Sequence, residues 1–172
     1  MPKILLLTGP GAAGKSTIAK MIAREKGFAY LDGDNEDTEF FPHGDQWLLQ
    51  NRHLLEKAHQ KILNKIREIF RTGKNVVVDY IIFGNYEHFI EIFRQAFGKD
   101  FGVIVLFPSK EELNKRDKER ECWTTGPERI AAVSKEFEGV KDYIGAERFL
   151  DTSGQTPKET VTRIFSLMDA GS

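Results

Sequence analysis

The run "GPGAAGKST", Gly9 to Thr17, constrains this chain more than any other stretch. Gly9 through Ser16 fit G-x-x-x-x-G-K-[ST]. The run follows the apolar segment "KILLLT" and opens a segment, 15–25, with helical spacing. That strand-to-helix setting is what the pattern needs to mean a phosphate cradle. Glycines let the backbone curl until successive N–H groups point inward, and the first turn of the helix adds unpaired donors and a positive dipole end. Ala12 and Ala13 are small enough to keep that access open. Gly9, Gly11, Ala12, Ala13 and Gly14 would form the cradle of a nucleoside triphosphate, and Lys15 would reach its β- and γ-phosphates. The Ser16 hydroxyl would take a position on Mg²⁺ and Thr17 would donate to the α-phosphate.

The rest of the chain supplies a matching scaffold. Apolar runs of strand length, "KILLLTG", "FAYLD", "NVVVDYIIF", "GVIVLF" and the weaker "ERFLD", alternate with helical stretches at 15–25, 46–71, 86–97, 109–121, 127–138 and 157–168. Such alternation implies βαβ units, a mainly parallel sheet and an α/β fold. Leu55, Ala58, Ile62, Ile66 and Ile69 form the apolar stripe of the long helix, and Phe89, Phe93 and Phe97 that of the next. Gly73 suits a left-handed helix stop, with Asn75 leading into a strand. With 172 residues, 40% of them hydrophobic, one domain spanning 1–172 is expected.

Twenty-five basic against 26 acidic residues leave a formal charge of −1, so neither nucleic acid nor a membrane surface is an expected partner. One cysteine, Cys122, forbids an internal disulfide, and "ILLLTG" is too short for a signal peptide or a spanning helix. A cytoplasmic protein, monomeric or weakly dimeric, is the expectation. His43, His53, His59 and His88 lack the spacing of a zinc site.

The remaining motifs bear on what is done with the phosphate. "NKRD", Asn114 to Asp117, imitates the guanine-reading N-K-x-D, but it lies inside the helical segment "SKEELNKRDKERE", and Asp79 is followed by "YII" where a GTPase needs D-x-x-G. After the second strand comes "LDGDNED". If the strand continues, Asp32 and Asp34 project the same way from its carboxyl end, where ligands of open α/β sheets bind. Two carboxylates there could serve one metal and one acceptor hydroxyl, or simply form a polar turn. "VVVD" ends in Asp79, the pattern of a carboxylate that holds a water on Mg²⁺. Arg116 and Arg120 share a helix face, as arginines of a phosphoryl-transfer lid do. Pairs such as Glu111 with Lys115 and Glu112 with Arg116 are the ordinary alternative.

In this order, the phosphate loop, "DGD", "VVVD", the arginine-bearing helix and the "DTSGQTPKE" segment resemble the small P-loop kinases grouped with nucleoside monophosphate, shikimate, gluconate and adenylylsulfate kinases. The likeness is nearest to the chloramphenicol-phosphotransferase-like branch of AAA-type P-loop kinases. It implies a three-layer α/β/α fold with a five-stranded parallel sheet in the order 2-3-1-4-5 and a helical lid over roughly 116–130. It also implies ATP, with adenine between Arg116 and the neighbourhood of Ser153 to Pro157, Asp34 at the acceptor hydroxyl and Asp32 nearer the metal. Two departures stand out. Glu36, Asp37 and Glu39 follow "DGDN" where adenylylsulfate kinases place an arginine, which favours a neutral or cationic acceptor unless Arg52 or Arg94 reaches in. Glu121-Cys122-Trp123 stands where relatives carry a further lid arginine.

The expectation is a Mg²⁺- and ATP-dependent kinase acting on a hydroxyl of a small molecule. Lys15, Asp34, Arg116 and Arg120 would be catalytic, Ser16, Asp32 and Asp79 would serve the metal, and Pro157 would stand at the base. Asp34, Trp47, Tyr80 and Phe83 are candidate acceptor contacts or, for the aromatics, core residues. The alternatives are a nucleoside, nucleotide or polynucleotide-end kinase, and an ATP-binding regulatory module with little turnover.

Overall fold

The computed structural model describes residues 3–43, 46, 48–82, 84–121 and 124–170. Strands β1 (Ile4–Thr8), β2 (Ala29–Asp32), β3 (Val76–Asp79), β4 (Phe101–Leu106) and β5 (Phe149–Leu150) form one sheet in the order β2-β3-β1-β4-β5. Every pairing is parallel. The order implied by the resemblance is the order found.

Strands β1, β3 and β4 read as unbroken apolar runs because both faces of the sheet are covered. On one face Ile4, Leu6, Val76, Val78, Val103 and Val105 pack with Ile62 and Ile66 of α3 (Arg52–Arg71) and with Phe89 and Phe93 of α4 (Tyr86–Phe97). On the other, Leu5, Leu7, Val77 and Ile104 meet Ile18 and Ile22 of α1 (Lys15–Lys26) and Ile164 of α8 (Pro157–Ala170). Leu113 of α5 (Lys110–Lys118) and Ile130 of α6 (Pro127–Gly139) join that second layer. The result is helix, sheet, helix.

Several local expectations shift. The long helix starts at Arg52 after a 3-10 turn at Leu49–Asn51, about six residues later than the expected start near Gln46, while its apolar stripe from Leu55 onward lies within it. Gln46 lies outside it, and its amide donates to Asp37 Oδ1 at 3.4 Å. The third strand stops at Asp79, although Tyr80 and Ile82 stay fully buried. A one-turn helix, α2 (Gly33–Glu36), takes the place of the expected extension of β2. A second short helix, α7 (Lys141–Ile144), precedes β5. Helix α5 ends at Lys118, three residues before its expected end.

Candidate active site

The phosphate loop folds as its glycines demand. Gly9 has φ 140°, and a Cβ there would lie 2.3 Å from the Leu106 carbonyl oxygen, so β4 packs too close for any side chain. Gly14 (φ 92°) enters α1 in the left-handed region, and Ala12 shares that region at φ 65°. No side chain caps the helix, which leaves its first-turn N–H groups free of a side-chain acceptor. A Cβ on Gly11 would come within 2.6 Å of Thr125 Oγ1, so the segment leading into α6 rests on the loop.

Lys15 opens α1 and is only 7% exposed. Its ammonium donates to the Pro10 carbonyl at 3.0 Å. Burial pushes its pKa down, Asp79 and Asp34 pull it up, and Arg120 adds a smaller lowering. Those three influences place both carboxylates and a second cation around the lysine.

Asp79 ends β3 and is 2% exposed. Burial raises its carboxyl's pKa, while Lys15, a hydrogen bond from Ser16 and one from Tyr30 oppose the rise. The Tyr30 hydroxyl donates to Oδ2 at 3.4 Å. The other oxygen, Oδ1, is buried with no hydrogen-bond partner among the described residues. A buried carboxylate oxygen with spare capacity beside a serine hydroxyl at the mouth of a phosphate loop fits Mg²⁺ held partly through water. Among the described residues no three His, Cys, Asp or Glu side chains converge into a cage. The donor set therefore suits a cation whose other ligands are water and phosphate. Asp32 is the register partner of Asp79 across β2 and β3, so the two carboxylates sit side by side at the strands' carboxyl edge.

The reason given by strand alternation for grouping Asp32 with Asp34 does not hold. β2 ends at Asp32, whose Oδ1 accepts from Asn35 N at 3.0 Å and caps α2. An aspartate before a polar tetrapeptide gains more as a cap than as another strand residue. Asp34 lies in the first turn of α2, half-buried, and still faces the lysine. Burial pushes its pKa up to about 7, with Asp79, Asp37 and Asp32 adding to the rise and Lys15 opposing it.

Across the loop from these carboxylates is a cavity of about 310 Å³ between α1, α5 and the turn before α8. Ala13, Gly14, Thr17, Arg116, Thr152 and Pro157 are among its lining residues. Arg116 builds its wall. Nε donates to Glu112 at 2.8 Å, Nη1 to the Ala13 carbonyl at 3.4 Å and Nη2 to the Thr152 carbonyl at 2.9 Å. Of the two surface pairs weighed from the sequence, the one between Glu112 and Arg116 forms, and it fixes the guanidinium rather than removing it from the site. A wider depression of about 510 Å³ on α3, along Lys57, Lys61 and Glu68, contains none of these groups.

An AAA domain family model matches residues 4–143. The chain belongs to this AAA-domain family. No curated protein sequence matches it. Among solved structures it is similar to a gluconokinase from Sinorhizobium meliloti 1021, with 17% identity, 98% of this chain and 93% of that one covered, and a TM-score of 0.68. It is similar to a shikimate kinase from Acinetobacter baumannii in complex with shikimate, with 18% identity, 100% and 96% coverage and a TM-score of 0.66. A deoxyadenosine kinase from M. mycoides with bound dATP matches at 16% identity, 96% and 99% coverage and a TM-score of 0.62. The fold is that of the small P-loop kinases. The match does not single out the chloramphenicol-phosphotransferase-like branch.

Arg120 pairs with Asp117 at 3.7 Å and lies close enough to Lys15 to lower its pKa. Asp117, the last residue of the "NKRD" imitation, reads no base. It is 4% exposed, and its two oxygens accept from Thr125 N and Gly126 N, both at 2.9 Å. Those bonds hold its carboxyl below the usual range against the cost of burial. Cys122, Trp123, Trp47 and Phe83, on which the lid and acceptor readings partly rested, lie outside the described residues.

The acids after "DGDN" do not form the repulsive rim expected of them. Glu36 pairs with Lys61 and Lys65, and Glu39 pairs with Lys61 at 3.0 Å. Asp37 is fully buried and accepts from the Tyr80 hydroxyl at 3.1 Å. Tyr80 is fully buried too, so it is a core residue and not an exposed acceptor contact. Arg94 stacks over the Tyr143 ring at 5.1 Å, whereas Arg52 donates to the Gly84 carbonyl at 3.4 Å. Tyr30 escaped the sequence reading, and the structural parts of Asp37, bonded to Tyr80, and Asp117, bonded to Thr125 and Gly126, were not foreseen. For Tyr30 a signal existed, since it stands two residues before Asp32 on the same strand face.

Proposed function

We propose that the protein is an ATP- and Mg²⁺-dependent phosphotransferase that moves the γ-phosphoryl group to a hydroxyl of a small molecule. The observation that carries this reading is the convergence of Lys15, Asp79 and Asp34 at the mouth of the phosphate loop, with the Arg116-walled cavity on the loop's other flank. Phosphates lying along the first turn of α1 would direct a base into that cavity, against Arg116 and Pro157, and the γ-phosphate toward Asp34. Mg²⁺, held through Ser16 and Asp79 with Asp32 beside them, would neutralise charge on the β- and γ-oxygens.

In the transfer, the acceptor oxygen bonds to the γ-phosphorus as the bond to the β–γ bridging oxygen breaks. That electron pair leaves with ADP, and the hydroxyl proton passes late to Asp34. Lys15 and Arg120 counter the charge on the transferred group, and Asp34 aims the oxygen. With Glu36, Asp37 and Glu39 turned to other partners, Asp32 and Asp34 are what disfavour an anionic group beside the reacting hydroxyl. A neutral or cationic alcohol fits best.

The test is ADP release by the purified protein against sugars, amino alcohols, aminoglycosides, nucleosides and 5′-hydroxyl oligonucleotides, with the product identified by ³¹P NMR. A phosphorylated small alcohol supports the proposal. A salt-sensitive preference for the oligonucleotide means an end-directed kinase. Tight Mg·ATP binding without ADP release above the blank means a regulatory module.

A further inference from the structure

Asp34 has a role that needs fixed geometry, yet it sits in a helix of four residues, too short to persist through its own hydrogen bonds. Something outside the turn must hold it. One residue touches the chain on both sides of Asp34. Before it, Gly33 lies flat against the Tyr80 ring, so close that a Cβ on Gly33 would fall 2.6 Å from Cγ and 2.7 Å from Cδ2. After it, the Tyr80 hydroxyl donates to Asp37 Oδ2 at 3.1 Å, and Asp37 N donates to the Gly33 carbonyl at 3.1 Å, closing the turn around Asp34.

Tyr80 has little room to move. It is fully buried, its N–H donates to the Leu7 carbonyl at 3.2 Å, and its ring is bounded by His59 and Phe89 at centroid distances of 5.9 and 5.5 Å. It also follows Asp79 directly in the chain. The ring and hydroxyl therefore tie the turn that carries the acceptor-side carboxylate to the strand end that carries the metal-side one.

We propose that Tyr80 is a positioning residue for Asp34, fixing the turn Gly33–Asp37 through its ring and its hydroxyl and so setting the spacing between Asp34 and Asp79. This rests on the phosphotransferase reading of the site. A purely structural hydroxyl would contribute stability through its bond to the buried Asp37 without affecting turnover, whereas a positioning one acts on kcat through Asp34.

The experiment compares wild type, Tyr80→Phe, Asp34→Asn and the double variant. ADP release from Mg·ATP is followed with water and with each acceptor of the panel above, the fastest being used for the comparison, and Mg·ATP affinity by calorimetry. Tyr80→Phe should lower kcat about tenfold or more while Mg·ATP affinity stays within about twofold. Added to Asp34→Asn, it should change kcat by less than about twofold, because the group it positions is already gone. Equal losses in both backgrounds, or a Tyr80→Phe enzyme with wild-type kcat beside a slow Asp34→Asn enzyme, overturn this inference and leave the proposed function standing. An Asp34→Asn enzyme with normal kcat, or a wild type that releases no ADP, overturns the role of Asp34 and this inference with it. If Tyr80→Phe does not fold, Gly33→Ala, which presses a methyl group into the ring, should give the same split. Wild-type kcat in that variant is equally fatal.

Discussion

Replacing Asp34 by asparagine should make the protein slower and, above neutral pH, more stable. Burial together with Asp79, Asp37 and Asp32 raises this carboxyl from 3.8 to about 7 against the pull of Lys15. Between those two values the folded protein keeps a proton that the unfolded chain has lost. Stability that is fully present below the unfolded pKa is therefore lost as pH rises through the folded one. At about 1.4 kcal/mol per pH unit, the whole window is worth on the order of 4 kcal/mol by pH 8. Asparagine keeps the shape without the charge, but it also deprives the buried Lys15 ammonium of an attractive neighbour. The expected net gain is ~1–3 kcal/mol at pH 8, and less than half of that at pH 5. Urea unfolding of both proteins at pH 5 and pH 8, with EDTA and no nucleotide, measures it. Turnover should fall by about 10²- to 10⁴-fold. An asparagine variant no more stable than wild type at pH 8, or with the same advantage at both pH values, would refute the electrostatic account of the site.

Three further outcomes are expected. Lys15→Met should abolish ADP release and, at neutral pH and above, lower the melting temperature, because it leaves the Asp34 and Asp79 carboxylates without the cation that opposes their pKa rise; retained turnover would remove the loop from the chemistry. Arg116→Ala should raise KM for ATP more than it lowers kcat, since all three guanidinium nitrogens are engaged in building the cavity wall; an effect on kcat alone would place the guanidinium at the phosphates. His59 is fully buried, neither ring nitrogen has a hydrogen-bond partner among the described residues, and burial pulls its pKa from 6.5 down to about 3. Stability is therefore lost as pH falls through that window, and His59→Leu should flatten the acid limb of the stability curve between about pH 6 and pH 4, read by urea midpoints.

Much of this molecule follows from short-range pattern alone. The glycines and small residues of Gly9 to Gly14 demand a curled loop between a strand and a helix, and they set the position of Lys15 and Ser16 at the first turn of α1. Apolar runs with no polar alternation announced strands covered on both faces, and the phenylalanines of 86–97 marked α4 to the residue. What the tertiary structure decided was which charged groups meet. In "DGDNED" the tendency of Asp32 to cap a turn competes with strand extension, and the contact of Gly33 with Tyr80, far along the chain, comes with the turn. Glu36 and Glu39 look like an acidic rim until α3 brings Lys61 and Lys65 beside them. Arg116 reaches a carbonyl 103 residues earlier in the chain, and the proton affinities of Lys15, Asp34 and Asp79 depend on burial that no local spacing records. Periodicity is a property of neighbours in sequence, whereas charge pairing and desolvation are properties of neighbours in space.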